Sequence, residues 1–189
     1  MPAGGAGGLR AVMLSHERNA KQDVSQMTTD SAHKSNWAIA EVVFGIPFLA
    51  SVAFHFIIPL PLPQGIFRQA LLFTGIALIL ISLGIIILAR REFARYGQPT
   101  DPGHPTSQVV KTGVFAVSRN PLYLACIIFF LGMALALNIL WAFVTPVIST
   151  ILCHYVLIAP EENYLRAKFG EEYRDYTAAV HRWLGRKRK

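Results

Sequence analysis

Four apolar runs of about membrane-spanning length follow one another along the chain, separated by a proline-rich turn, a long polar loop and a single asparagine. They cover residues 37–58, 69–89, 121–137 and 139–159. An α-helix needs about 20 apolar residues to cross the hydrocarbon core of a bilayer, so each run predicts a transmembrane helix. The last two runs have only Asn138 between them and together are too long for one crossing, which predicts a tight turn at this asparagine.

A different periodicity begins after Pro160, where apolar residues recur at steps of three or four. They are Leu165, Phe169, Tyr173, Tyr176, Val180 and Trp183. This spacing is typical of an amphipathic helix, which we expect over about residues 161–184 and on the membrane surface rather than across it. The basic residues 186–189 that follow suit the anionic headgroups of membrane lipids.

The order of these segments predicts the fold class, an all-α integral membrane protein with about four transmembrane helices and a C-terminal amphipathic surface helix. Residues 1–35 are rich in small and polar residues, so we expect a flexible tail before a single membrane domain at 36–189. Most lysines and arginines fall near the two ends of the chain and in the loop at 90–120, which places these parts on the cytosolic side. We therefore expect a multi-pass protein of the cell (inner) membrane with both termini in the cytosol.

Composition narrows the class further, because 53% of the 189 residues are hydrophobic and only 15% are charged. A soluble domain of this size is more polar. The net charge of +7 does not indicate nucleic-acid binding, since the basic residues stand in blocks beside the apolar runs. Cys126 and Cys153 lie within apolar runs without metal-binding spacing, so no metal site is predicted. No span carries a clear dimerisation pattern, which leaves the oligomeric state open.

The stretch from Val109 to Tyr123 is polar where the segments on either side of it are apolar. The prolines and glycines between residues 97 and 120 predict a long loop, and loops of this length are usually functional or disordered. Arg119, Asn120 and Tyr123 gather around the start of a membrane helix. Polar groups in that position mark either a binding site or the anchoring of the helix at the membrane interface.

Two adjacent carboxylates, Glu161 and Glu162, end the last apolar run on the same side of the membrane. Considered alone, they fit the acidic first turn of a helix, where the helix dipole favours negative charge. Their occurrence together with the polar stretch 109–123 favours another interpretation, in which the two pieces meet and form one site. A zwitterionic ligand with a carboxylate, an ammonium group and a cationic centre would fit between them.

The segment from Val109 to Leu124, followed by Glu161-Glu-Asn-Tyr-Leu and by Phe169-Gly-Glu-Glu-Tyr173, resembles the isoprenylcysteine carboxyl methyltransferase and phospholipid methyltransferase family of integral membrane enzymes. The likeness covers about residues 96–184 in order, spacing and membrane context. It implies S-adenosylmethionine as the methyl donor, bound at the cytosolic membrane face. It also implies a lipophilic small molecule or lipid as the acceptor, which arrives through a gap between helices.

The resemblance assigns the adenosyl part of the cofactor to the beginning of the polar stretch. The residues that would hold it, largely through backbone groups, are Val109, Val110, Thr112 and Gly113. The methionine part would lie further along the chain.

Asn120, Tyr123 and Glu161 would bind the methionine part by the same resemblance, with a carboxylate side chain meeting its ammonium group. Which of the two adjacent glutamates faces the cofactor stays open. Arg119 and Glu162 are the candidate catalytic residues. The planar guanidinium of Arg119 would pair with a carboxylate, either that of the cofactor or that of the acceptor.

This chain departs from the family pattern at one position, since many members carry Arg-His-Pro where it has Arg119-Asn120-Pro121. Asparagine can hydrogen-bond but cannot accept a proton near neutral pH. An amine acceptor must lose a proton at some stage. The asparagine therefore favours O-methylation of an isoprenylcysteine-like carboxylate over N-methylation of a phospholipid amine, unless Glu161, Glu162 or water serves as the base.

Two other classes of function stay open on the sequence alone. Sterol-reductase-like membrane enzymes share a related C-terminal pattern and bind NADPH in a comparable place, although they need a larger bundle of spans. A non-enzymatic membrane scaffold would use the same polar residues only to anchor its helices. Binding of S-adenosylmethionine, compared with binding of NADPH, separates these interpretations.

Overall fold

The computed structural model describes residues 39, 41–60, 62–98 and 106–187. Within these residues the regular structure is helical, apart from one isolated bridge between Val180 and Arg186. The helices are α1 Glu41–Ile57, α2 Ile66–Arg95, α3 Pro121–Leu137, α4 Val144–Leu152 and α5 Ala159–Ala179. The all-helical class predicted from the sequence is confirmed, whereas the predicted tail at 1–35 lies outside the described residues.

Among the described residues, two helical runs are long and apolar enough to cross a membrane. One is α2, with 30 residues, whose most apolar 18-residue window has a mean hydropathy of 2.9. The other is the run Leu140–Ala179, with 40 residues and a window mean of 1.9, which has a kink at Gly170, where φ is 51° and ψ is −122°. Only 11% of the most apolar window of α2 is buried inside the protein, so its side chains face outward, as they do in a helix surrounded by lipid. Helices α1 and α3 are apolar but shorter, and the predicted count of four spans is therefore not confirmed.

Helix α2 is longer than the hydrocarbon layer of a bilayer is thick. Its 30 residues extend about 45 Å, whereas the apolar core of a bilayer is about 30 Å thick. The last turns carry Arg90, Glu92 and Arg95, and the helix ends at Arg95, two residues before Gly97, which has a φ of 59°. Polar groups of α2 thus lie beside the loop that precedes α3.

Helices α2 and α3 approach closely at two glycines. A Cβ atom at Gly75 would lie 2.6 Å from the backbone nitrogen of Ala136 and 2.7 Å from the carbonyl oxygen of Gly132. In membranes, small residues stabilise helix pairs because they let the backbones pack by van der Waals contact. This close packing is found at Gly75, whereas the space around Gly84, in the same helix, is open.

A tight turn at Asn138 connects α3 to the following helix. Asn138 adopts a left-handed conformation with a φ of 62°, and the next amide, that of Ile139, donates to the Ala134 carbonyl at 3.1 Å. Asparagine tolerates this conformation better than other side chains do. The chain then enters α4 through a 3-10 turn at Leu140–Phe143.

A π-helical segment, Cys153–Ile158, joins α4 to α5 without a break. The amide of Ala159 bonds to the carbonyl of His154, five residues earlier. This wider turn precedes Pro160, which lacks an amide hydrogen and would clash in a regular helix. The sequence predicted a separate surface helix after Pro160, but the structure continues the preceding helix through the proline because the π segment accommodates it.

The end of α5 also differs from the predicted bound at about residue 184. The helix ends at Ala179, and Val180 is extended with φ −123° and ψ 136°. Residues 180–187 then turn back toward the loop that precedes α3, and we call them the strap. Trp183 therefore lies on the strap and not on the helix.

An apolar cluster joins α1 to the π segment and supports the side of α3 that carries Tyr123. Its buried members are Val43, Phe44, Cys153, Leu157 and Ile158. Tyr123 and Trp183 pack against it, one from α3 and one from the strap. The hydroxyl of Ser149 donates to the Val43 carbonyl at 2.8 Å and so satisfies a polar group inside this interface.

Replacing Gly75 by alanine should lower stability, because the added methyl group meets backbone atoms that cannot move aside cheaply. We expect a cost of about 2 kcal/mol, seen as a lower apparent Tm in detergent. Gly84→Ala is the matched control in the same helix, where nothing lies within 4 Å. It should be neutral or stabilising, since alanine is the better helix former by about 1 kcal/mol. Equal effects of the two substitutions would contradict the packing described.

Candidate functional site

The two polar pieces singled out in the sequence lie in direct contact. Nη1 of Arg119, just before α3, is 3.1 Å from Oε1 of Glu162, in the first turn of α5. Their side chains are only 10% and 6% exposed, respectively. A buried carboxylate needs such a partner, because an uncompensated charge is costly away from water.

A second guanidinium, that of Arg182 in the strap, binds the same carboxylate. Nε of Arg182 donates to Oε1 of Glu162 at 3.0 Å, and Nη2 donates to Oε2 at 2.6 Å. Nη1 of Arg182 lies 2.8 Å from Nδ1 of His154, which must accept because arginine only donates. The hydrogen bonds to Glu162 raise the pKa of Arg182, so the group stays charged. Two guanidinium groups on one carboxylate leave this cluster with a net positive charge.

The backbone of the strap holds the end of the loop that precedes α3. The amide of Arg119 donates to the His181 carbonyl at 3.2 Å, and the amide of Gly185 donates to the Val117 carbonyl at 2.7 Å. The side-chain nitrogen of Asn120 donates to the carbonyl of Arg182 at 3.1 Å. Asn120 is buried and so acts here as a link between the loop and the strap.

Glu161 has a different environment from that of its neighbour. The hydroxyl of Tyr123, on α3, donates to Oε2 of Glu161 at 3.1 Å. Glu161 is half-buried and has no salt bridge to any described residue. One of the adjacent carboxylates is therefore neutralised by two cations, while the other is held by a phenol.

Thr112 and Gly113 lie against Glu92, near the end of α2. The Thr112 hydroxyl donates to Oε2 of Glu92 at 2.6 Å, and Nη1 of Arg95 donates to Oε1 at 3.0 Å. Gly113 has a φ of 57°, and a Cβ atom there would lie 2.6 Å from the Glu92 carboxyl carbon. The glycine is thus required both by the backbone conformation and by the close approach of this side chain.

Val109 and Val110 are buried in two separate apolar clusters. Val109 packs with Tyr173 and Tyr176 of α5, whereas Val110 packs with Phe115. Their side chains serve the packing of the loop, so any contact with a ligand would come from their backbone groups. The structure therefore does not bring all nine sequence-predicted residues together around one point.

A cavity of about 380 Å³ lies between α2, α3 and the loop. It is lined by Ile85, Leu88, Glu92, Gly113, Val114, Val117, Ser118, Pro121, Leu124 and Leu184. Glu92 is the one charged member of this lining. Leu88, Val117 and Leu184 are 48%, 45% and 67% exposed, so the cavity meets the outer apolar surface of the protein at these residues.

The sequence did not single out Glu92, His154 or Arg182. Glu92 is the one acid among the arginines that end α2, and His154 is a polar residue within an apolar run, which is a signal of function in membrane helices. Arg182 carried no comparable signal, because the amphipathic period runs through its position. Its role depends on the turn after Val180, which only the structure shows.

Comparison with known proteins identifies the group to which this chain is related. A family model described as phospholipid methyltransferase matches residues 70–172, which contain Arg119, Tyr123 and both adjacent glutamates. The chain belongs to the phospholipid methyltransferase family. The resemblance noted in the sequence is thereby confirmed. The match supports the prediction that this chain is a membrane protein related to methyltransferases. The strap with Arg182 lies beyond the matched residues of this phospholipid methyltransferase family member.

One protein similar to this chain is an uncharacterized protein of Haemophilus influenzae. It is 38% identical over 63 residues, which are 33% of this chain and 100% of that protein. No solved structure matches this chain. The family assignment therefore rests on the match to the family model.

Replacing Gly113 by alanine should disturb the Glu92 contacts. Gly97→Ala is the matched control, because Gly97 has nearly the same φ, 59°, but nothing within 4 Å. Both variants carry the strain of a left-handed alanine, about 1 kcal/mol. Gly113→Ala must in addition displace Glu92 from Thr112, so its apparent Tm in detergent should fall further than that of the control. Equal decreases in apparent Tm for the two variants would contradict this prediction, because they would show that Glu92 moves aside without cost.

Proposed function

We propose that this phospholipid methyltransferase family member transfers a methyl group from S-adenosylmethionine to a lipophilic acceptor at the cytosolic membrane face. The observation that carries the proposal is the pairing of Arg119 with Glu162 beside the pairing of Tyr123 with Glu161, at 3.1 Å in each case. A phenol-bound carboxylate and a net positive cluster thus stand side by side. Family membership supports methyl transfer as the reaction.

The residues present fit the methionine part of the cofactor, which carries one ammonium and one carboxylate group. The buried Nε of Arg119 has no hydrogen-bond partner among the described residues, so it offers a donor to the carboxylate. Glu161, bonded to Tyr123 through one oxygen, offers negative charge to the ammonium. Asn120 would act on the cofactor indirectly, because its amide nitrogen is bonded to the strap.

Thr112 and Gly113 would meet the adenosyl part of the cofactor, with Val109 and Val110 contributing backbone groups alone. Thr112 and Gly113 are both exposed, which leaves backbone groups of the loop accessible. The hydrogen bond from the Thr112 hydroxyl to Glu92 fixes this part of the loop against α2. The loop would thereby place the two parts of the cofactor in a fixed relation.

S-adenosylmethionine, when bound, supplies a methyl group on its sulfonium sulfur. The protein contributes alignment and exclusion of water, since charge is dispersed rather than created as a methyl group moves from a sulfonium to its acceptor. Arg119, which would touch the carboxylate of the cofactor, is the residue we assign to catalysis, and Glu162 positions it through their mutual bond. No strong acid or base is required of them.

The acceptor would lie in the cavity between α2, α3 and the loop. An apolar chain can pass from the lipid side between Leu88, Val117 and Leu184, which are all substantially exposed. Glu92 faces the same cavity, and its described salt-bridge partner, Arg95, is 75% exposed and therefore screened by water, so the negative charge still favours an uncharged or amine headgroup over a carboxylate. A phospholipid amine is therefore the first candidate acceptor.

An isoprenylcysteine-like carboxylate is the second candidate acceptor, favoured by Asn120. This side chain cannot accept a proton and is bonded to the strap, so it does not replace the histidine of other family members as a base. A carboxylate acceptor needs no base. The two candidates thus rest on two different residues, Glu92 and Asn120.

We further propose that residues 36–189 form one membrane domain whose two termini lie in the cytosol. The extension of α2 beyond the bilayer thickness and the arginines at its end support this orientation. The loop, the first turn of α5 and the strap would then all face the cytosol, where S-adenosylmethionine is available.

Binding of the cofactor product S-adenosylhomocysteine to detergent-solubilised protein tests the proposed function, with NADPH as the comparison. The wild type should bind the nucleoside and not NADPH. Glu161→Gln should lose about 10- to 100-fold in affinity, the usual worth of a hydrogen-bonded charge. Glu171→Gln, at an exposed position of the same helix, is the control and should bind as the wild type does. Absence of binding to folded wild-type protein would refute the proposal, and binding of NADPH instead would favour a reductase.

Transfer of labelled methyl groups to two acceptors of equal chain length, one an amine lipid and one a carboxylate, tests the acceptor class. The amine should be methylated faster, and Glu92→Gln should reduce this preference about 10-fold by removing the negative charge. Glu171→Gln again serves as the control. Faster methylation of the carboxylate by the wild type would instead establish the second candidate.

A further inference from the structure

Arg182 has more bonds to the candidate site than any residue the sequence singled out. Its guanidinium engages both oxygens of Glu162, at 3.0 and 2.6 Å, and Nδ1 of His154 at 2.8 Å. Its carbonyl oxygen accepts from Asn120 at 3.1 Å. The residue thus connects α5, the π segment and the loop from a position outside the matched residues 70–172.

We propose that Arg182 is a positioning residue for the methyl donor, and that the strap closes the site through it. The inference rests on the proposed function. Arg182 does not itself touch the donor in this proposal. It acts by holding the carboxylate of Glu162, which in turn fixes the guanidinium of Arg119.

Geometry explains why one arginine would not suffice. Arg119 reaches Glu162 through a single contact, Nη1 to Oε1 at 3.1 Å, which leaves the carboxylate free to rotate. Arg182 adds bonds to both oxygens, and two parallel bonds from a planar fork define the plane of a carboxylate. The orientation of Glu162 is therefore set by the strap.

The positive charge of Arg182 also supports its role as a positioning residue. With Arg119 alone, Glu162 would cancel the guanidinium charge, and a carboxylate ligand would gain little from approaching it. Arg182 supplies a second positive charge, so the cluster stays net positive and the Nε of Arg119, which has no partner among the described residues, can attract the carboxylate of the methionine part. Arg182 should therefore matter for ligands that carry this carboxylate.

His154 holds the far side of the same guanidinium. Its Nδ1 atom accepts from Nη1 of Arg182, which leaves Nε and Nη2 directed at Glu162. The π segment that contains His154 thus has a function beyond the accommodation of Pro160. It presents an acceptor that fixes the direction from which the strap approaches.

Affinity for S-adenosylhomocysteine, measured by calorimetry on the full-length protein in detergent, tests the proposal. Arg182→Gln keeps the backbone carbonyl that binds Asn120 but removes the charge, and it should weaken binding about 10- to 100-fold. Arg182→Lys should recover part of the loss, since an ammonium group restores the charge without the planar fork. Arg174→Gln, which removes an exposed arginine from α5, is the control and should leave affinity unchanged.

A double-mutant cycle distinguishes positioning from a general structural role. If Arg182 acts through Glu162, the loss caused by Arg182→Gln should be much smaller in a protein that already carries Glu162→Gln. Thermal unfolding of every variant checks that each is folded. The inference would be overturned if the losses of affinity in the two single variants simply add in the double variant, or if Arg182→Gln binds with wild-type affinity. Either result would leave the proposed function standing. Failure of the wild type to bind would end both.

Discussion

The carboxylate of Glu162 is the constraint on which this structure depends. It is buried at the start of α5, and an ionised carboxylate in that position is tolerated only if cations are brought to it. The chain brings two, Arg119 from the loop before α3 and Arg182 from the strap. Removing one partner of such a group is far more damaging than replacing the whole cluster, so the three segments are fixed relative to one another by a single charge.

Because Glu162 is held by the two arginines, the two adjacent glutamates have different roles. Glu162 points to the guanidinium groups and is neutralised, whereas Glu161 points to Tyr123 and has no salt bridge to a described residue. Neighbours in a helix face different directions, so a Glu-Glu pair presents one structural and one accessible carboxylate. In the proposed reaction the first would order the site and the second would meet the ammonium group of the cofactor.

Much of the fold followed from the apolar runs, because long apolar segments in a membrane have few alternatives to helices. The contact of Arg119 with Glu162 could also be foreseen, since opposite charges at adjacent ends of two helices that are predicted to be neighbours tend to meet. The continuation of the helix through Pro160 could not, because it depends on a local change of hydrogen-bond register. Arg182 was missed for a related reason: the helical period extends past Val180, but the backbone turns there. Glu92 was hidden among arginines whose charges suggested only a helix end.

The strap follows every described helix in chain order, and that order has a consequence for how the protein is made. Residues 180–187 leave the ribosome after helices α1 to α5, so the strap docks onto helices that have already emerged. Before the strap docks, Glu162 has one guanidinium partner, Arg119, and the second place on its carboxylate is open to water. The site is thus completed by a segment that emerges after these helices. A chain interrupted after α5 would hold its helices in the membrane without a closed site.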